Sequence, residues 1–399
     1  MNTLLISYYL YSFFGSLAFT RGIFIVFLVH QGISLGKIGI LQTILYLSGL
    51  VAEVPAGIFA DRFKRKYSVA FGLVLVAISS LVVPFVHSFI VFSLLFTLQG
   101  IGGAFRSGAD SALLFDGLKD KSDIEKQKYV THSGKARSLS NIALGLAIVS
   151  GGFISERSWI LVYSLYGACL LIAASFILSI RENTTHPVKS DDAPHESEQT
   201  IFHQLKQFFS EPKGFSLILF ILGMGFIEAS HTPFFIFGQI LFKDLGMKAS
   251  SIGIFVALAM GLTAIGYIYV DRLKRFSLQT NILWISLLTS GLSLIYLAKP
   301  IAIYAIFSYA MIDMLPSLLF VHTDNHIQQS VDSRIRASVL STHALISSIF
   351  ISLSFLGVGS LLDHFSAYTA LGITGLMPLA GLLALKIYFK NESRLERAS

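Results

Sequence analysis

Apolar residues do not alternate with polar ones along this chain. They run on in blocks of about twenty, the length at which a helix rising about 1.5 Å per residue crosses roughly 30 Å of hydrocarbon. Such blocks predict helices near 4–29, 38–60, 67–86, 89–115, 134–155 and 158–180, and again near 214–241, 250–270, 278–297, 300–325, 335–361 and 366–389. Between the sixth and seventh blocks, residues 181–213 turn to Asp, Glu, His, Ser and Thr with Pro187, Pro194 and Pro212. That stretch reads as a solvated linker, with a short interfacial helix expected around Phe202 to Phe209. The pattern predicts an all-α integral membrane protein of twelve transmembrane helices: a six-helix bundle over 1–180, a cytoplasmic linker over 181–213, and a second bundle with a short tail over 214–399.

Composition narrows this further. Of 399 residues 54% are hydrophobic and 13% charged, about half the charge of an ordinary soluble domain, and mean hydropathy is +0.69. Cys169 is the single cysteine, which excludes an internal disulfide framework and a cysteine-rich metal site. No span carries paired histidines at metal-ligand spacing, and no nucleophile elbow, phosphate loop or Walker sequence occurs. Neither an enzyme nor a bound metal or cofactor is expected. The net charge of +7 would form a basic face in a nucleic-acid binder; here it marks sidedness. Even-numbered connections and the C-terminus hold 23 of the 30 Lys and Arg, odd-numbered ones only Lys37, Arg157, Lys243, Lys248 and Lys299. Both termini are therefore expected in the cytoplasm and the chain in the cell membrane, as a monomer among lipids. The first block lacks the basic leader of a cleaved signal peptide and reads as a retained helix. The sequons at Asn183 and Asn391 fall on the cytoplasmic side and read as chance matches.

The two halves echo one another. Gly57-Ile-Phe-Ala-Asp61-Arg62-Phe-Lys64-Arg65-Lys66 follows the second block and Gly266-Tyr-Ile-Tyr-Val-Asp271-Arg272-Leu-Lys274-Arg275 the eighth, sharing Asp-Arg-x-Lys-Arg. Gly32 to Gly39 repeats the spacing of Gly246 to Gly253, and Lys135-Ala-Arg137-Ser138 resembles Arg334-Ile-Arg336-Ala-Ser338. Internal repeats of this kind are a hallmark of secondary transporters. Gly57, Asp61, Arg62, Arg65 and Lys66, preceded by Glu53-Val54-Pro55, resemble the loop signature of the major facilitator superfamily, with Lys64 where the family usually has glycine. The resemblance implies twelve helices in two pseudo-symmetric bundles. It also implies a cytoplasmic gate in which Asp61 and Arg65 join an acid at the end of the fourth helix, here Asp116, with Asp271 and Arg275 as the second-half counterparts. The family's antiporters carry a Gly-Pro-rich fifth helix; Gly145, Ser150, Gly151 and Gly152 stand there without a proline.

An ionisable residue near the middle of a span costs about 2.5–3.5 kcal/mol to insert, so each is a functional candidate. Away from the span ends they are Arg21 on the first helix, Arg106 and Asp110 on the fourth, Glu228 and His231 on the seventh, and Asp313 on the tenth. In the family these four helices line the central cavity. Glu228 and Asp313 lie deep enough to exchange protons near neutral pH, and His231, one turn from Glu228, is placed to share its proton. Arg106 and Asp110 are spaced for an intrahelical pair; Arg21 lies near the outer surface, a site for an anionic group. His343 and His322 read as satisfied polar residues. Phe234, Phe235, Phe237 and Tyr309 read as an amphipathic cavity wall near Pro233. The expected activity is proton-coupled transport of a small organic molecule, with export favoured by the short central linker and the Glu53-Val54-Pro55 run. Uptake of a metabolite or anionic nutrient, or lipid flipping on the same fold, stands as the alternative.

Overall fold

A computed structural model describes residues 2–119, 123–181, 207–331 and 335–398; most of the expected linker, and the greater part of its interfacial helix, lie outside those residues. The helices are α1 (Asn2–Gly15), α2 (Phe24–His30), α3 (Leu35–Arg62), α4 (Arg65–Val82), α5 (Phe89–Arg106), α6 (Ala109–Lys119), α7 (Asp123–Ser155) and α8 (Trp159–Ser179). They continue with α9 (Pro212–Asp244), α10 (Ala249–Ile268), α11 (Leu278–Leu294), α12 (Ala302–Ser330), α13 (Arg336–His364), α14 (Ala367–Ile373) and α15 (Leu376–Ala398). Among the described residues eleven stretches are long and apolar enough to cross a membrane. Where the sequence predicts a further helix near 4–29, two shorter ones stand.

That difference has a local cause. Residues 16–23 close tight turns, Ser16 N–H to Phe13 O at 3.2 Å and Arg21 N–H to Ala18 O at 3.1 Å. Gly15, Ser16, Thr20 and Gly22 concentrate there, and such residues give up helix readily. The unwound stretch packs on α7, where any side chain at Gly151 would strike the Phe19 carbonyl. Arg21, expected on a helix, therefore lies on this non-helical segment. The fourth span is also interrupted: Gly108 takes φ +74° between α5 and α6, so Arg106 and Asp110 do not share one helix. Thr374 and Gly375 separate α14 from α15. The 63–64 turn after α3 is built from Phe63 at φ −107° and Lys64 at φ −70°. Neither angle needs glycine, which explains how Lys64 is accommodated.

The chain divides into two compact units, Met1–Ser190 with Gly246–Ala257, and Asp191–Leu245 with Leu258–Ser399. In the first, α4 packs on α5 and α8, α3 on α5, and α1 on α7 and α8. Its core gathers Leu5, Tyr8 and Tyr11 with Leu73, Leu113 and Ile177. The crossing of α4 on α5 is close because Gly72 and Gly102 face one another; a Cβ on Gly102 would sit 2.6 Å from the Gly72 carbonyl oxygen. In the second unit α9 packs on α12, α13 and α15, and α11 on α12 and α15, around Phe220, Met224, Ile285, Leu319 and Leu385. From Ile227 to Phe242 every residue of α9 except Thr232 is buried. The helix continues through Pro233.

The echoes in the sequence have matching geometry. Gln31 ends α2 at φ −77°, ψ 5°, and Leu245 ends α9 at φ −75°, ψ 4°. Each is followed by a glycine in the left-handed region, Gly32 at φ +77° and Gly246 at φ +76°, the usual stop for a helix. Ser158 and Ser366 likewise cap α8 and α14 by accepting from the amides of Leu161 and Thr369. The halves differ at the repeated motif. Asp61-Arg62 completes the 28-residue α3, whereas α10 stops after 20 residues and Asp271-Arg272 falls on a 3-10 helix over Val270–Arg275.

Candidate functional site

In the first unit the embedded charges sit where α1, α5, α6 and α8 meet. Asp110, in the first turn of α6, accepts from the Tyr11 hydroxyl at 3.1 Å and from the Ser111 amide at 2.6 Å. The Arg106 guanidinium, closing α5, lies within electrostatic reach of Tyr11, Tyr166 and Asp110. Arg21 is exposed, and its charge reaches Tyr46 and Tyr166. The charges expected to pair within one helix are thus joined through tyrosines across a helix break. Tyr11, Tyr46 and Tyr166 escaped the sequence reading because tyrosines in apolar blocks are common; their spacing along three separate spans gives no signal.

The second unit holds acids and histidines. Glu228 is 7% exposed on α9 and His343 8% exposed on α13, with His343 Nε2 3.4 Å from Glu228 Oε1. By helical spacing the expected neighbour of Glu228 is His231, one turn away. His231 packs its ring 5.4 Å from that of Phe320, with Asp313 and Glu228 both within electrostatic reach. His343 was read as a satisfied polar residue; its position in an apolar block was the available signal, and its partner was not readable. Asp313 Oδ2 accepts from Thr263 at 2.8 Å, tying α12 to α10. Asp324, exposed on α12, lies in reach of both His343 and Glu228.

The expected aromatic cavity wall is a packed core. Tyr309 stacks on Phe235 with centroids 5.2 Å apart and donates its hydroxyl to the Phe235 carbonyl at 2.8 Å, while Phe234 and Phe237 are fully buried. His322 faces the carbonyl of Val270 at 3.4 Å.

At the basic end of the first unit, Arg65 pairs with Asp116. Beside this pair lies a cavity of about 370 Å³ lined by Glu53, Gly57, Asp61, Arg65 and Phe105, and a Cβ on Gly57 would enter open space. Lys66 donates to the carbonyls of Leu178 at 3.3 Å and Ile180 at 3.0 Å, so it closes the C-terminus of α8. Arg62 is exposed at the end of α3. In the second copy of the motif Arg275 is exposed and Arg272 lies 4.5 Å over the Tyr269 ring; the Asp271 side chain lies outside the described residues. At the opposite end Glu156 accepts from the Ser250 amide at 3.0 Å, capping α10. Hydrogen bonds from Ser250 hold this exposed carboxyl below its ordinary range. Among the described residues no three metal-binding side chains gather.

Comparison with known proteins agrees with this architecture. A variant of the nucleoside transporter NupG superposes with a TM-score of 0.79 at 16% identity over 97% of this chain and 98% of that one. A D-xylose-proton symporter gives 0.68 at 14% identity, over 96% of each chain. In sequence, the uncharacterized MFS-type transporter YxaM of Bacillus subtilis (strain 168) is 24% identical over 265 residues, 64% of this chain and 63% of that protein's length. The sequence profile of the Major Facilitator Superfamily matches residues 4–354. A multi-span helical fold with repeated halves, and a profile that takes in most of the chain, identify a membrane transporter: the protein belongs to the Major Facilitator Superfamily.

Proposed function

We propose that the protein is a proton-coupled symporter that brings a small organic molecule into the cell across the plasma membrane, with both termini in the cytoplasm. The observation that carries this reading is Glu228. A carboxyl group 7% exposed in an apolar bundle, 3.4 Å from a histidine, is stable as a neutral acid or as half of an ion pair, and one proton separates the two states. Binding and release of that proton can bias two conformations, provided each binds it differently. Asp313, held by Thr263, is the second embedded acid we assign to coupling.

For direction, the linker and the Glu53-Val54-Pro55 run favoured export; the likeness to a D-xylose-proton symporter and a nucleoside transporter supports uptake instead. Arg106 and Arg21, whose charges both reach Tyr166, are the groups we assign to polar or anionic parts of the solute. We assign Asp61, Arg65 and Asp116 to a gate: the ion pair holds helix ends together in one conformation and is lost in the other.

The test is reconstitution in liposomes with an internal pH dye and a solute panel of nucleosides, sugars and short peptides, under an inward proton gradient. Uptake with a matching rise in internal acidity is expected. Solute moving against the proton flow would establish antiport and overturn the reading.

A further inference from the structure

We propose that Glu228 and His343 form one proton-binding unit, shared between α9 and α13, and that Asp324 connects it to solvent at the basic end. The inference rests on the reading of Glu228 as the coupling group and adds the residues that set and supply its proton.

Three observations lead to it. Glu228 and His343 are both more than nine-tenths buried, so neither can hold a charge cheaply alone. Their facing atoms, Oε1 and Nε2, are 3.4 Å apart, and His343 Nε2 has no hydrogen-bond partner of good geometry. This is ion-pair distance, short enough to close into a hydrogen bond by a small side-chain movement. The exposed Asp324 lies in electrostatic reach of both members. Counted along their helices, Asp324 stands six residues before the end of α12 and His343 seven after the start of α13, so both lie within two turns of the connection between those helices.

The transfer balances within the pair. The Nε2–H bond of the imidazolium breaks as an O–H bond forms on Glu228 Oε1, converting an ion pair into a neutral imidazole and a neutral acid. A second proton, taken by His343 from the Asp324 side, leaves a single positive charge on the unit; its return restores neutrality. Other titratable groups on the elements packed against α9 include Asp313, His322 and His326 on α12, Arg336 on α13, Tyr368 on α14, and Tyr388, Lys386 and Lys390 on α15, with His231 on α9 itself in electrostatic reach of Glu228. His326 is bonded to Tyr388 at 2.6 Å and Asp313 to Thr263 at 2.8 Å, so each is engaged elsewhere. His343 is accordingly a positioning residue and proton donor to Glu228.

The test is an infrared pH titration of the full-length protein in lipid, with protons as the only probe. The protonated-carboxyl band that disappears in Glu228→Gln should shift its midpoint by at least one pH unit in His343→Gln, and by a few tenths in Asp324→Asn. A Glu228 midpoint unmoved within 0.2 unit in His343→Gln overturns the proposal. Should His343→Gln fail to fold, the wild-type protein decides: histidine-ring bands must change together with the Glu228 band, and independent midpoints overturn it. A pair that titrates together in a protein that moves no proton with solute upholds the unit and overturns symport, so the two failures are distinguishable.

Discussion

The two halves share helix order, stop signals and packing scheme, yet they hold embedded charge in different ways. In the first, a guanidinium is present at each site: Arg106 near Asp110 and Tyr11, Arg65 on Asp116. A guanidinium stays protonated at any accessible pH, so this half carries fixed charge. In the second, the buried Glu228 and the half-buried Asp313 meet histidines and a threonine, and imidazole changes charge near neutral pH. On the proposed reading one half holds a charged or polar group and the other gains and loses a proton. A repeated fold thus supports asymmetric chemistry through a handful of side chains.

The shared packing scheme can be broken most severely at the glycines. Gly102→Val should drive a methyl group into the Gly72 carbonyl and destabilise the protein by about 1–3 kcal/mol. Gly261→Val, on α10 in the second unit where a Cβ meets open space, should stay within about 0.5 kcal/mol. Thermal unfolding in detergent checks both; equal losses would show that the close approach at Gly102 is not what sets the cost.

Next in size are the fixed charges. Asp116→Asn removes the partner of a half-buried Arg65 and should slow turnover roughly threefold to tenfold, or about 0.7–1.4 kcal/mol of barrier, while solute affinity changes less than twofold. The double reversal Arg65→Asp with Asp116→Arg should recover most of the rate. A large affinity loss without a rate change would contradict a gate there.

In the second half Thr263→Val takes the hydroxyl from Asp313 and should cost about 1 kcal/mol of stability with a changed pH profile of uptake. An unchanged profile would detach Asp313 from coupling.

The smallest effect concerns Glu156. Because its carboxyl is held below the ordinary range by Ser250, its contribution to stability is present above about pH 4.3 and is lost as pH falls through the lowered folded-state value. Glu156→Gln, whose amide oxygen still accepts from the Ser250 amide, should flatten that acid limb and leave neutral-pH melting almost unchanged. An identical limb in the variant would assign it to another acid.

Much of this was legible in the chain. Apolar blocks located the spans because lipid forces the backbone to satisfy itself within helices. Gly32 and Gly246 announced the repeat because left-handed turns restrict residue choice, and Glu228 stood out because charge is rare in such surroundings. The break over 16–23 did not show, since its residues are apolar enough to pass for helix and it is held by packing on Gly151. Arg106 and Asp110 kept helical spacing in the sequence while Gly108 turned the chain between them. His343 could not be joined to Glu228 because that pairing is set by how α9 packs on α13, a distance in space that periodicity does not encode.

The division between fixed charge and exchangeable proton is tested most directly by the proton-to-solute ratio in liposomes for wild type, Glu228→Gln and Asp110→Asn. The account predicts that Glu228→Gln abolishes proton movement while solute exchange without a gradient survives, and that Asp110→Asn, whatever its rate, keeps the wild-type ratio. Proton movement that persists in Glu228→Gln and vanishes in Asp110→Asn would place the exchangeable proton in the first half and contradict it.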